Sequence, residues 1–393
     1  MDVLYLGRTN SPRSRYLAFG IRAADRHAHL YIVGRTGTGK STLLSLMAWQ
    51  DITRGTGIAV FDPHGDLVEG LRDNADPKRF VYLDSASAAW RFNPLERSAE
   101  TEPALLVAGL IDVFKKLWLD SWGPRLEHLL RNVLATLVYF PQATLGAIPR
   151  LLADKNFRGR LLPHIADPVV KAFWTEEFGR YSPGFRSVVV APLQNKIGAV
   201  LTDRRLRAIL DCRESSFDLS GVMDTRGVLL VNLSKGHLGE GPSHLLGSLL
   251  VSHIALRGLE RAARPVEERR AFFVYLDEFQ TFATPMVATM LSELRKYRVG
   301  LVLAHQYLSQ LDVVVRDAVL GNVGSMIIFR VGPEDAPLLA RELEPVFTAK
   351  DLLRLPNYHM YLKLMIDGSI AKPFSATTFA SIEEVPQRAA RGA

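Results

Sequence analysis

The sequence predicts an α/β fold: a mostly parallel β-sheet covered by helices on both faces and interrupted by an inserted all-α domain. Three observations predict it. Short apolar runs rich in Val, Ile, Leu and Phe (LYIV, GIAVFD, GVLLVNL, AFFVYL, GLVLAHQ) recur along the chain, as strands buried on both faces do. Most are followed by segments with apolar residues at spacings of three and four, the mark of a helix packed on a sheet. From about Arg97 the strand signal fades and helical patterning alone continues to about Leu210, a stretch long enough for one domain.

In order, residues 1–29 read as a strand, a polar turn and a second strand. LYIV leads through a glycine-rich turn into the helical STLLSLMAWQDI, and GIAVFD is the next strand. PALLVAGLIDVFKKLWL and RLEHLLRNVLATLVYF are amphipathic helices of the insertion. The alternation resumes with GVLLVNL, the helix HLLGSLLVSHIALRGLERAA, the strand AFFVYL and the helix MVATMLSELRKYR, then the strands GLVLAHQ and SMIIFRV. NYHMYLKLMIDGSIAKPFSATTF reads as terminal hairpins, and the final QRAARGA as a frayed tail. The domain limits read this way are 1–96 for the N-terminal strands and the first part of the α/β domain, 97–222 for the all-α insertion, and 223–393 for the second part of the α/β domain.

The totals exclude some classes. At 393 residues, 48% hydrophobic and 23% charged, the chain is globular in composition. Its formal charge of +7 suits a polyanionic partner without requiring one. The single Cys212 rules out an internal disulfide and fits a reducing cytosol. No run of about eighteen apolar residues occurs, and the first thirty residues hold no apolar signal-peptide core. The expectation is a soluble chain that is not exported.

GRTGTGKS, residues 34–41, fits the phosphate-binding pattern G-x-x-x-x-G-K-[ST], with an apolar strand before it and a helix after it. Gly34, Gly37 and Gly39 let the backbone curl so that its N–H groups face phosphate oxygens. The helix start adds its positive dipole end. Lys40 supplies a cation to the β- and γ-phosphates, and the Ser41 hydroxyl is a hard oxygen ligand for Mg²⁺. With Thr36, Thr38 and Thr42, these residues make the expected contact set for ATP. In AFFVYLDE, two acids end a buried strand, which is costly unless a cation or proton meets them. In a phosphate-loop ATPase, Asp277 holds Mg²⁺ and Glu278 orients and polarises the attacking water. The bland rival is a helix cap or a solvated strand end.

Taken together, DRHAHLYIVGRTGTGKSTLL, FDPHGDLVE, RFNPL, VYLDEFQTF, LRKYRVGLVLAHQYLSQL and GSMIIFRVGPEDA resemble the HerA–FtsK superfamily of DNA-pumping ATPases, and within it the TraG/TraD-type coupling proteins of conjugative type IV secretion. The resemblance covers nearly the whole chain, including the insertion (DSWGPRLEHLLRNVL, DPVVKAFWTEEF), which looks like the family's all-α domain. It implies a RecA-like core, a homohexameric ring with ATP at subunit interfaces, and DNA moved through the central pore. By position, Gln306 matches the polar residue that senses the γ-phosphate, Arg295 the arginine finger that reaches the neighbouring subunit's ATP, and Asp62 the acid at its strand end. Arg298 and Arg330 are the alternatives to Arg295; a solvated cation at a helix end is its bland reading. His305 and His64 lack metal-like partner spacing and read as structural residues.

The resemblance also implies a relaxase or other secretion substrate protein as partner, and a membrane-anchored secretion component holding a cytoplasmic motor at the inner membrane face. Coupling proteins carry N-terminal transmembrane helices and HerA proteins an N-terminal β-barrel. Here the ATPase core begins almost at once, which leaves membrane docking open. For DNA contact the sequence offers Lys196, the run Arg204, Arg205 and Arg207, and Lys235 in the glycine-rich SKGHLGEGPS, which also carries Glu240. No aromatic platform stands out. Alternative readings are a HerA-like repair translocase, a protein-secretion ATPase, and an assembly switch in which ATP only sets ring formation.

Overall fold

The computed structural model of the chain describes residues 3–10, 16–87 and 89–386. The expected frayed tail, 387–393, and most of the first polar turn lie outside the described residues. The chain forms two compact units. One comprises Met1–Leu83, Leu219–Gly236 and Arg264–Ala393, and the other Asp84–Asp218 and His237–Ala263.

The first is a sheet unit. Its strands are β1 (Val3–Thr9), β2 (Ala18–Arg22), β3 (Leu30–Val33), β4 (Gly57–Asp62), β5 (Phe80–Asp84), β6 (Val228–Asn232), β7 (Phe272–Leu276), β8 (Val299–His305), β9 (Ser325–Ile328), β10 (His359–Lys363), the small hairpin β11 (Met365–Ile366) and β12 (Ser369–Ile370), and β13 (Phe374–Thr378). Among the described residues, eleven of them form one sheet in the order β2-β1-β13-β10-β9-β3-β8-β7-β4-β6-β5. From β9 to β6 every pairing is parallel. Outward from β9 it is antiparallel through β10, β13, β1 and β2. The parallel strands are apolar and buried along their whole length, as strands covered on both faces must be.

This arrangement sets the site. In register, Val33 lies opposite His305 and Ile328, while Leu276 lies opposite Leu303 and Phe61. The ends of β9, β3, β8, β7 and β4 therefore meet along one carboxyl edge. The helix Lys40–Thr53 follows β3 and buries Leu43, Leu44, Met47, Ala48 and Ile52 in the core. It is tied to the outer sheet by Gln50, whose amide exchanges two hydrogen bonds with the Tyr5 backbone (2.9 and 2.8 Å). The Arg26 guanidinium donates to both Asp51 oxygens at 2.8 and 2.6 Å and lies 3.7 Å over the Phe273 ring. This joins the turn before β3, the helix and β7.

The second unit is helical. The helices Glu240–Glu260, Pro103–Leu117, Pro124–Leu137 and Pro183–Thr202 pack in that order, each against the next, with Phe114, Leu130, Val133, Leu134, Leu193 and Ile197 buried. The sequence places the insertion at 97–222 and 237–263 with the sheet. In the structure Glu240–Glu260 packs along Pro103–Leu117. There the Arg257 guanidinium donates to Thr101 and Glu260, and His253 Nε2–H to the Pro94 carbonyl at 3.1 Å. The glycine-rich SKGHLGEGPS was read as a loop. It holds a short helix, Lys235–Leu238, and then opens Glu240–Glu260, because its Lys, Leu and His tolerate helix as well as its three glycines tolerate a turn. No described helix is long and apolar enough to cross a membrane.

Candidate nucleotide site

Residues 34–39 curl between the end of β3 and the helix that starts at Lys40. Gly37 and Gly39 take φ of 74° and 116°, in the left-handed region that favours glycine. A Cβ on Gly34 would sit 2.5 Å from the Phe329 Cβ, so the loop passes tightly over the end of β9. Its far side is pinned by backbone: Tyr358 N–H donates to the Thr38 carbonyl at 2.7 Å, and Arg35 N–H to the Arg330 carbonyl at 2.8 Å. Sequence reasoning missed Tyr358. It lies far along the chain and carries no motif; its φ of 67° and its place against Gly39 appear only in the fold.

Lys40 Nζ donates to the carbonyls of Gly34 (2.6 Å) and Arg35 (3.2 Å) and so points back into the loop's own concavity. Burial pulls this ammonium below its usual range, while Glu278 and Asp277 act in the opposite direction. Ser41 and Thr42, at the helix start, face a cavity of about 470 Å³ shared with Asp66 and Glu383. Arg35, Thr36, Gln306, Tyr307 and Arg330 line a second cavity of about 670 Å³ on the opposite flank of the loop.

Asp277 and Glu278 follow β7 directly and are buried. The Asp277 carboxyl is pushed up to about 6, first by burial, then by Glu278 and Asp62. Glu278 adopts the left-handed conformation (φ 46°, ψ 52°), an arrangement that costs on the order of 1 kcal/mol for a non-glycine residue and collects at functional sites. Its carboxylate is held from both sides. Gln306 Nε2–H donates to Oε1 at 2.8 Å, and Gln280 Nε2–H to Oε2 at 2.7 Å. Gln280 was also missed, although its place two residues after the acid was visible in LDEFQ. The other end of the Gln306 amide accepts from the Thr36 hydroxyl at 3.0 Å. Thr36, Gln306 and Glu278 thus form one chain of hydrogen bonds from loop to acid.

The remaining assigned residues divide. Asp62 stands at the same sheet edge, but its carboxylate accepts from the N–H groups of His64, Leu67 and Val68 (2.8–3.3 Å). It thereby holds the first turn of the helix Asp66–Arg72 and reaches the site through its charge on Asp277. Arg295 lies elsewhere. It is exposed, precedes β8 and acts electrostatically on His29 at the start of β3, so it belongs to the amino edge of the sheet, across from the loop. Arg330 is at the carboxyl edge, bound to the Leu355 carbonyl and Asn357. His305 is buried against Tyr31 and Phe279, and desolvation, with Lys40 nearby, brings its pKa down to about 3. It is a neutral packing residue, and His64 is exposed.

The residues fit a nucleotide and a divalent cation. A glycine cradle with a lysine aimed into it is an anion site. The Asp277 and Glu278 carboxylates beside one ammonium leave surplus negative charge that a dication balances. Among the described residues no three side chains cluster as a metal cage; a magnesium ion held mainly by phosphates, waters and one or two protein oxygens needs none.

Residues 17–103 match the family model of the helicase HerA central domain. The fold matches solved structures over nearly its whole length. The plasmid coupling protein TrwB in complex with ADP and Mg²⁺ aligns at 15% identity and TM-score 0.65, over 97% of this chain and 96% of that one. TrwB with the non-hydrolysable analogue ADPNP aligns at 16% and 0.65, over 91% and 86%. VirB4 of Thermoanaerobacter pseudethanolicus aligns at 16% and 0.68, over 98% of each chain. No curated protein matches the sequence. The phosphate loop and the acid pair thus stand in a fold shared along its length with TrwB and VirB4, and the stretch that carries the loop matches the HerA central domain.

Proposed function

We propose that the chain is a homohexameric motor that hydrolyses Mg-ATP and moves DNA in conjugation or type IV secretion, as a coupling protein does. The observation that carries this reading is the hydrogen-bonded string Thr36–Gln306–Glu278, which joins the phosphate loop to the acid placed to activate water. Lys40, Ser41, Thr42 and the amides of residues 34–39 would bind and orient the triphosphate. Ser41 and Asp277 would hold Mg²⁺, which when bound neutralises charge on the phosphates. Glu278, fixed between Gln306 and Gln280, orients the attacking water and takes its proton at the carboxylate. The Gln306 amide can register loss of the γ-phosphate without repelling it, because it is uncharged. Arg295 lies at the wrong edge to serve its own loop, so its finger role requires a second copy. DNA, a relaxase or other substrate protein, and a membrane-anchored secretion component are the partners this reading calls for.

Glu278→Gln should still bind ATP while turnover falls by about a thousandfold; hydrolysis at the parent rate would defeat the assignment. Arg295→Ala should be similarly slow alone, and mixing it with Glu278→Gln should restore activity, since mixed interfaces pair an intact acid with an intact finger. DNA should stimulate hydrolysis, less so as salt rises. A rate indifferent to DNA but raised by a secreted protein would place the chain with the protein-secretion ATPases.

A further inference from the structure

The helical unit carries a groove that plays no part in nucleotide binding. A cavity of about 1130 Å³ is bordered by Arg91, Arg204, Arg207 and Arg213. An adjoining one of about 460 Å³ is bordered by Arg97 and Tyr139. Gln142, Arg213 and Glu214 line both, so the two are one continuous depression. Its charges are not balanced within it. The three carboxylates on its walls have donors of their own: Asp211 accepts from Gly146 N–H at 2.9 Å, Glu96 from Ser215 N–H at 2.9 Å, and Glu214 from the Gln142 amide at 3.3 Å. The guanidinium groups of Arg91, Arg204 and Arg213 are exposed and make no hydrogen bond or ion pair with any described residue. Arg97 lies over the Tyr139 ring, 5.6 Å from its centroid, and that side chain is 38% exposed. The sequence hides this grouping, because Arg97, Tyr139 and Arg204–Arg213 come from separate segments.

We propose that this groove binds single-stranded nucleic acid, with Arg91, Arg204, Arg207 and Arg213 on successive phosphates and a base stacked on Tyr139. Guanidinium forks pair with phosphate as readily as with carboxylate, so charge alone does not choose between DNA and an acidic peptide. The exposed ring with an arginine stacked on it does. Basic grooves with accessible aromatic faces take unstacked bases without reading sequence, whereas a duplex offers no free base face and an acidic peptide gains nothing from the ring. The groove lies wholly within the helical unit, so its success or failure is read by strand binding, and that of the motor assignment by ATP hydrolysis.

The test uses the full chain without nucleotide and follows anisotropy of a labelled oligothymidylate across a salt series. Arg91→Glu, Arg204→Glu and Arg213→Glu combined should weaken binding at least about tenfold and flatten the slope of log affinity against log salt by about 2, near 0.7 per lost phosphate contact. Their guanidiniums hold nothing else in place, and a circular dichroism melt checks that the variant is folded. A charge-matched control reversing the exposed Arg125, Arg160 and Arg180 should lose less than about a third of that effect on the logarithmic scale. Tyr139→Ala should weaken single-strand binding about fivefold or more, through lost stacking, and leave binding of a polyglutamate peptide unchanged. The proposal is overturned if the parent does not bind the oligonucleotide, if the triple variant binds it as tightly as the control does, or if polyglutamate binds more tightly than the strand.

Discussion

The two units bury charge in different ways. The sheet unit buries the ionisable side chains Asp25, Arg26, Lys40, Asp51, Asp62, Asp277, Glu278 and Asp335, whereas the described residues of the helical unit bury the cations Arg158 and Arg261 and no carboxylate. Arg158 is settled locally, by the Leu151 and Leu152 carbonyls at a helix end and by the rings of Trp174 and Phe178. In the sheet unit some charges are settled as completely: Arg26 by Asp51, Asp25 by the N–H groups of Asp367 and Gly368, and Asp62 by three N–H groups. Asp277 and Glu278 are hydrogen-bonded but form no ion pair among the described residues, and Lys40 is the cation that acts on them. Buried charge by itself marks structure; buried charge left in surplus at one sheet edge marks a ligand.

The largest stability effect that tests this contrast is at a settled pair. Asp51→Ala removes the buried carboxylate to which both Arg26 and the Tyr275 hydroxyl donate, and should cost about 3–5 kcal/mol in denaturant unfolding. A loss below about 1 kcal/mol would mean that the sheet unit tolerates unbalanced charge generally, and the contrast would fail.

Acid titration comes next. Burial in the helical unit brings the His253 pKa down to about 3. A group depressed on folding contributes stability that is complete above its unfolded value of about 6.5 and drains away as pH falls toward the folded value. The helical unit should therefore lose about 2 kcal/mol by pH 5 from this residue alone. His253→Leu should flatten that loss, at the cost of one unmet carbonyl on Pro94. Tryptophan fluorescence reads it selectively, because Trp90, Trp118, Trp122 and Trp174 are in the helical unit and Trp49 alone is in the sheet unit. An unchanged acid profile in the variant would point to another group.

The smallest effect sharpens the other side. Asp167 caps the helix Pro168–Ala172 through the N–H groups of Val169 and Val170. Asp167→Ala should cost about 1 kcal/mol, as read by the same fluorescence melt.

Much of this was legible in the sequence because short-range physics fixes it. The loop at 34–41, its flanking strand and helix, and the acids closing β7 follow from glycine, apolar runs and charge placement within a few residues. The parallel strands were readable as uniformly apolar runs. What escaped depends on contacts distant along the chain. Tyr358 supports the loop because β10 and β13 fold back beside β9, and nothing in LPNYHM announces that. Asp62 had the right address, yet its carboxylate faces the N–H groups of the turn that follows, a choice of hydrogen-bond partner that strand patterning does not encode. The segment 237–263 reads as a helix in any context, and only packing decides that it lies along Pro103–Leu117.

Strand β8 has one further consequence. Gln306 follows one of its ends and Arg295 precedes the other, and the seven residues between Val299 and His305 are buried and hydrogen-bonded to β3 on one side and β7 on the other. A strut clamped in this way has no slack. A displacement of the amide at one tip would have to move the strand as a body to be felt near the guanidinium before the other, about 23 Å away along the strand. If copies are arrayed so that one tip faces its own cleft and the other its neighbour's, each strut becomes the means by which a spent cleft can prime the next.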